Sequence, residues 1–143
     1  VRFFYDYPDF YFPNRTKLKR FIPLVFKKEK RSLSAIHYIF CTDEFLKKMN
    51  IKFLNHNNYT DILTFPLSEK DEPIVGEIYI SIDRIKDNSL IFNTSFKSEL
   101  LRVILHGALH LCGYEDLSES QKKKMRSKEN FYLALFSDSV NKK

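Results

Sequence analysis

The chain is defined first by what it has little of. It has no tryptophan, three glycines, five prolines and two cysteines in 143 residues. Too little glycine and proline is present for a collagen-like or low-complexity chain. Cys41 and Cys112 cannot build a disulfide framework, so a reducing, cytoplasmic setting is expected. No apolar run approaches the roughly 18 residues of a membrane span, and no membrane partner is expected. The first residues, VRFFYDYPDF, carry two aspartates and no apolar signal core, so a secretory leader is not expected either. What remains is an ordinary globular composition, 43% hydrophobic and 29% charged, sized for a single domain over 1–143.

Charge is uneven. Lys and Arg total 24 against 18 acids, a net of +6. Residues 1–31 hold nine basic residues against three acids, and 117–143 hold seven against three. The middle of the chain is therefore net acidic. Basic ends draw polyanions, although lysines also serve simply to keep helix faces in water. The Lys122–Lys124 run fits either role.

Hydrophobic patterning outlines the elements. A β-favouring aromatic segment runs to Pro13, and an amphipathic helix from Thr16 to near Lys30, with Pro23 inside it as a conflicting signal. Strands are expected over Ser34–Cys41, Asp61–Pro66 and Val75–Ile82. A helix starts at Thr42-Asp43-Glu44 and continues to Phe53. Residues 55–58 read as a loop, and a short helix or irregular segment extends to Asn93. Ser95 caps a helix that is apolar on nearly every side from Leu100 to Leu111, which makes it central and buried. Gly113 ends it. Ser118 and Gln121 form a capping box for a last, exposed helix to about Phe136. Strands and helices mix without regular βαβ alternation, so the expected class is α+β, a mixed sheet packed with helices.

The chemistry concentrates in His106-Gly107-Ala108-Leu109-His110-Leu111-Cys112-Gly113-Tyr114-Glu115-Asp116. His106 and His110 stand one turn apart on one face of the buried helix. Asp116, beyond the Gly113 break, can swing back to the same point. Two imidazoles and a carboxylate suit Zn²⁺ or a similar divalent ion, and three protein ligands leave a fourth position for water, as in catalytic sites. Two hydrogen-bonded core histidines are the alternative. The spacing is that of a zincin, specifically the His-x3-His-x2-Gly-x2-Asp pattern of metzincin proteases. Those enzymes place their general base, a glutamate, directly after the first histidine, where this chain has Gly107. The metal pattern therefore stands without the peptidase base.

HGALHLCGYED resembles the signature HGxLHLxGYDH of the YbeY family of bacterial rRNA maturation factors. A second family block, LNxxYRxKDxPTDVLSF, aligns without gaps on Met49–Phe65. A third, GDIxI, matches Gly76–Ile80. The resemblance covers roughly residues 35 to 130. It implies a zinc-dependent, single-strand-specific endoribonuclease with one Zn²⁺ per chain, acting in 16S rRNA 3′-end maturation and ribosome quality control. It implies rRNA in the small ribosomal subunit as partner, with ribosomal proteins or a GTPase alongside, and no role on DNA.

Two departures stand out. The family's third histidine is Asp116 here, which lowers the net charge of a ligated dication to about +1 and should make its bound water harder to deprotonate. The family's RNA-handling arginine falls on Leu54, and leucine cannot replace a guanidinium fork on phosphate. Lys52 and His56, two residues either side, are candidate substitutes for substrate binding. Thr60 and Asp61, which match the family's Thr-Asp pair, are candidates for orienting a metal ligand. No side chain is singled out as the general acid. Two further readings remain open: a ribosome-associated RNA-binding or assembly protein with a structural metal, and a metal-dependent hydrolase of a small molecule or peptide. His37, Cys41, Glu77 and Cys112 read as structural.

Overall fold

In a computed structural model, residues 1–12, 15–54 and 60–141 are described. The elements run β1 (Arg2–Tyr5), α1 (Arg15–Lys28), β2 (Leu33–Cys41), α2 (Asp43–Leu54), β3 (Ile62–Pro66), β4 (Ile74–Ser81), α3 (Ile82–Ile91), α4 (Phe96–Leu111) and α5 (Glu119–Asn141). The four strands form one sheet in the order β1-β2-β4-β3. β1 and β4 both pair parallel to β2, whereas β3 pairs antiparallel to β4, Ile62 opposite Ile80 and Phe65 opposite Glu77. The architecture is the expected α+β one with a mixed sheet. Parallel neighbours require crossover connections, and α1 supplies one between β1 and β2. β3 interrupts the alternation and becomes an edge strand.

Side-chain alternation divides the core between the two faces of the sheet. Ile36, Tyr38 and Phe40 of β2 and Ile78 and Ile80 of β4 are buried in one cluster with Leu18, Ile22 and Val25 of α1 and Leu100, Ile104 and Ala108 of α4. A smaller cluster on the other face joins Cys41, Leu46 and Leu63, with Met49, Phe65 and Tyr79 against it. α4 is the helix most enclosed: ten of its sixteen residues are buried. The Tyr38 hydroxyl donates to the Ile104 carbonyl at 3.0 Å and ties the middle of α4 to β2.

Local chemistry accounts for the element ends. The Ser95 hydroxyl accepts from the Ser98 amide at the start of α4, and Ser81 does the same for Arg84 at the start of α3. The capping box forms as expected: Ser118 Oγ accepts from Gln121 N, and Gln121 Oε1 accepts from Ser118 N. Gly113 takes φ 107°, the left-handed conformation that ends α4.

Two segments, the first and the last, differ from the sequence expectation, and of the two readings left open for the stretch up to Asn93 the structure takes the helix. β1 stops at Tyr5: Arg2 to Tyr5 pair with His37 to Phe40 of β2, and a last bond from Asp6 N to the Phe40 carbonyl closes the strand. Residues 82–91 form a full helix, its buried side chains Ile82, Ile85 and Ser89 marking one face. α5 is exposed over most of its surface, as expected, but one face is buried. It sends Met125, Glu129, Tyr132 and Phe136 inward, a stripe at helical spacing that packs on α4 and α1. Among the described residues no helix is long and apolar enough to cross a membrane.

The position after His106 shows why the peptidase base has no place here. A Cβ on Gly107 would lie 2.9 Å from Ile62 Cδ1 and 3.0 Å from two carbons of Ile78. Gly107 thus faces the sheet, and a glutamate there would enter the core. For Gly107→Ala, the better helix propensity of alanine, about 1 kcal/mol, competes with overpacking, typically 1–3 kcal/mol. The expected outcome is a net loss of stability, seen as a thermal midpoint lowered by a few degrees. An unchanged or higher midpoint would show that Ile62 and Ile78 yield freely.

Candidate metal centre

α4 carries both imidazoles on the side it does not bury. His106 and His110, four residues apart, have ring centroids 4.5 Å apart and ring planes nearly perpendicular. The Nε2 atoms of both face Asp116 Oδ2, at 3.2 Å from His106 and 3.5 Å from His110. Each of the three residues offers a ligand atom, and these atoms all lie within 4.8 Å of one another. The structure brings together the three residues that the spacing pointed to.

Their outer nitrogens are fixed. His110 Nδ1 lies 2.8 Å from the Tyr114 carbonyl, which can only accept, so Nδ1 carries the proton and Nε2 presents a lone pair. His106 Nδ1 lies 2.6 Å from Glu129 Oε2. Glu129 is buried on α5. Burial would raise its pKa, but hydrogen bonds from His106 and Arg102 outweigh that and hold it below the usual glutamate range. It is therefore an anionic acceptor, and His106 takes the same tautomer. Arg102 Nη1 donates to Glu129 Oε1 at 2.8 Å and completes the pairing. A buried carboxylate behind a ligating imidazole fixes its ring and raises its basicity. The donor set fits a divalent metal: two Nε2 lone pairs and one carboxylate oxygen, with both imidazoles already in the tautomer that ligation requires.

Protons compete for the same atoms. Burial would lower the His106 pKa. The hydrogen bond and charge of Glu129, with the charges of Asp116 and Asp61, reverse this and raise it above the ordinary 6.5.

The loop that carries Asp116 is anchored from behind. Arg31 Nη1 donates to the Cys112 carbonyl at 3.0 Å. The Tyr114 hydroxyl donates to Glu29 Oε1 at 2.5 Å, and Tyr132 and Lys128 bond the other oxygen of the same carboxylate. Burial acts to raise the Glu29 pKa, but these three partners lower it. Tyr114 thus touches His110 through its carbonyl and Glu29, just beyond the end of α1, through its hydroxyl.

Two grooves, each of about 430 Å³, meet at His106, and His110 lines the second of them. One follows β3 and includes Thr60, Asp61 and Thr64; the other lies among α3, α4 and α5. Three residues line both, namely His106, Asp116 and Asp61. Burial raises the Asp61 pKa, with the His106 charge acting against it. Thr60 Oγ1 donates to the Ile62 carbonyl at the start of β3, at 3.3 Å. Among the described residues neither Thr60 nor Asp61 hydrogen-bonds a ligand imidazole through its side chain; Glu129 and the Tyr114 carbonyl do that. Lys52 lies on α2 with its ammonium over the Phe53 ring and lines neither groove. His56 falls outside the described residues. The Lys122–Lys124 run divides: Lys122 lines the α5 groove, whereas Lys124 sits over the Tyr114 ring. Cys112 is buried, its thiol pushed up by burial to about 12. His37 packs edge-on against Phe4 at the sheet, remote from the site.

Sequence reasoning missed Glu129, Arg102 and the Tyr114 carbonyl. A signal for the first was present: Met125, Glu129, Tyr132 and Phe136 form one helical stripe in which a single acid replaces an apolar residue. A charge is rarely buried without a partner.

Fold and site together define a class: α+β proteins in which a core helix presents two histidines, and a following loop a carboxylate, in an arrangement that could hold a metal ion. The chain belongs to the Endoribonuclease YbeY family, whose profile matches residues 12–137. It is 44% identical over 135 residues to the Endoribonuclease YbeY of Cytophaga hutchinsonii, covering 94% of each chain. It is 45% identical over 130 residues to that of Karelsulcia muelleri, covering 91% of this chain and 87% of the relative. The solution structure of TM1509 from Thermotoga maritima superposes with a TM-score of 0.67 at 28% identity, covering 98% of this chain and 91% of that one.

Glu129→Gln keeps the volume and removes the charge behind His106. Metal affinity at neutral pH should fall about 10- to 100-fold. A proton is also held less firmly by His106 in the variant, so the pH at which falling pH begins to displace the metal should move downward. Titration with a chelator-buffered metal at several pH values measures both. An unchanged affinity would remove Glu129 from the site.

Proposed function

We propose that this chain is a zinc-dependent endoribonuclease that hydrolyses single-stranded RNA. The observation that carries the reading is the pair of imidazoles locked by Glu129 and the Tyr114 carbonyl with both Nε2 atoms turned to Asp116. Nitrogen and carboxylate donors in this number suit zinc. When bound, the ion polarises a phosphoryl oxygen and lowers the pKa of water. The remaining work falls to the protein. His106, His110 and Asp116 hold the ion, and Arg102 and Glu129 fix His106. Asp61, at the junction of the two grooves, is the carboxyl placed to take or give the proton of the reaction. The names of the curated relatives support RNA as substrate, and the basic ends of the chain suit a polyanion.

Within this reading the substrate is the 3′ end of 16S rRNA on the small ribosomal subunit, in the cytoplasm. Ribosomal proteins or a GTPase bring the enzyme there, and the resulting role is rRNA maturation and ribosome quality control. The resemblance of the motifs to the family supports these assignments.

The test combines elemental mass spectrometry with cleavage of a labelled single-stranded RNA. About one zinc per chain is expected, together with cleavage that disappears in His110→Ala while far-UV circular dichroism stays unchanged. RNA binding without cleavage, at full zinc occupancy, would favour the assembly-protein reading instead. For Asp61→Asn, cleavage should drop by about 10²-fold or more with zinc content retained. A rate within a few-fold of the wild type would exclude Asp61 as the proton carrier.

A further inference from the structure

The groove among α3, α4 and α5 holds residues that ligation does not use. Phe92 caps the C-terminal end of α3 and lines this groove with its ring 62% exposed. Asn88, four residues earlier, lines it too, and residues four apart share a helix face. Across the groove, α5 presents Lys122 and Arg126, again four apart. Like charges at this spacing cost a helix stability, and Lys122 has only a distant partner in Glu119 at 3.8 Å. Arg126 makes no hydrogen bond or ion pair among the described residues. Acidic groups line the same groove, Asp61, Glu99 and Asp116 among them, and Glu129 is paired with Arg102 and His106. One groove therefore joins two of the three ligand candidates, His106 and Asp116, to two cations on α5 and an exposed aromatic residue.

This is the chemistry that recognises an unstacked nucleotide: an aromatic face for a base, a cation for its phosphate and an amide for a base edge. A volume of about 430 Å³ falls within the roughly 300–1,000 Å³ of small-molecule sites. Resting on the endoribonuclease reading, we propose that this groove seats the nucleotide flanking the cleaved phosphate, with its base stacked on Phe92 and its phosphate held by Arg126 and Lys122. Recognition through α5 also explains how this chain dispenses with a guanidinium at Leu54: the cation comes from a different element.

The absence of tryptophan from the chain makes a direct test available. Phe92→Trp places a single indole at the stacking position, and Phe4→Trp places one on β1, at the opposite edge of the sheet from β3. The probe is a 2′-O-methyl phosphorothioate single-stranded oligonucleotide, which resists cleavage, titrated into zinc-loaded protein. The Phe92→Trp emission should be quenched and the Phe4→Trp emission should not. Phe92→Ala should weaken binding by roughly 5- to 150-fold, the range of one base stack. Arg126→Gln should reduce the salt slope of log affinity by about 0.7. Both residues are exposed and outside the ligand set, so zinc content and thermal midpoint serve as controls. Equal quenching at both positions, or wild-type affinity and slope in both groove variants, would overturn the proposal. If the wild type still cleaves RNA in that case, the endoribonuclease reading survives it. A wild type that neither cleaves RNA nor binds the probe ends both.

Discussion

Everything at the site depends on how closely α4 lies on the sheet. At Gly107 the helix backbone rests directly on Ile62 and Ile78, and at Gly76 a Cβ would meet Leu111 at 2.7 Å. Contact this close buries most of the helix and leaves one narrow open side, where His106 and His110 emerge. The same contact brings β3 alongside, so that Thr60 and Asp61 border the ligands. A wider separation would give both histidines more water and more rotamers, and the convergence on Asp116 would be lost. Packing density and ligand geometry are here one constraint, because a close-packed interior transmits small displacements undiminished.

Around that helix, the buried charges are arranged in pairs that hold the ligands from outside. Glu129 accepts from His106 on one oxygen and from Arg102 on the other. Glu29 does the equivalent for the loop, gathering Tyr114, Tyr132 and Lys128 on one carboxylate. A carboxylate buried alone would be costly, and each of these is retained because its lone pairs are filled. α5 is the common element: it supplies Glu129, Lys128 and Tyr132. The helix that the composition presents as a solvated surface is thus the support of the ligand candidates, and it also carries Lys122 and Arg126 on the groove.

The exchange of the peptidase glutamate for Gly107 has a structural sense beyond its missing side chain. In this fold that position belongs to the core and not to the cleft. A proton carrier for the proposed reaction would sit on another element, and Asp61, on the approach to β3, borders both grooves without being one of the three ligand candidates. The family's departures in this chain follow the same logic of substitution from elsewhere. Asp116 offers a carboxylate oxygen where the motif it resembles has a histidine, and α5 carries cations where Leu54 offers none.

Spacing along the chain determined a good deal. The four-residue step from His106 to His110, the Gly113 break and the carboxylate three residues on were enough to assemble the ligand set, because local helix geometry alone aligns the two rings. Ser95, Ser118 and Gln121 marked helix starts for the same local reason. Tertiary structure decided what depends on distant partners. The length of β1 was set by how much of β2 it could meet, and the burial of α5 by its docking on α4. The role of Glu129 arises from a contact across 23 residues and that of Tyr114 from one across 85. Periodicity reports which face of a helix is apolar, but only the packed fold decides which carboxylate stands behind which imidazole.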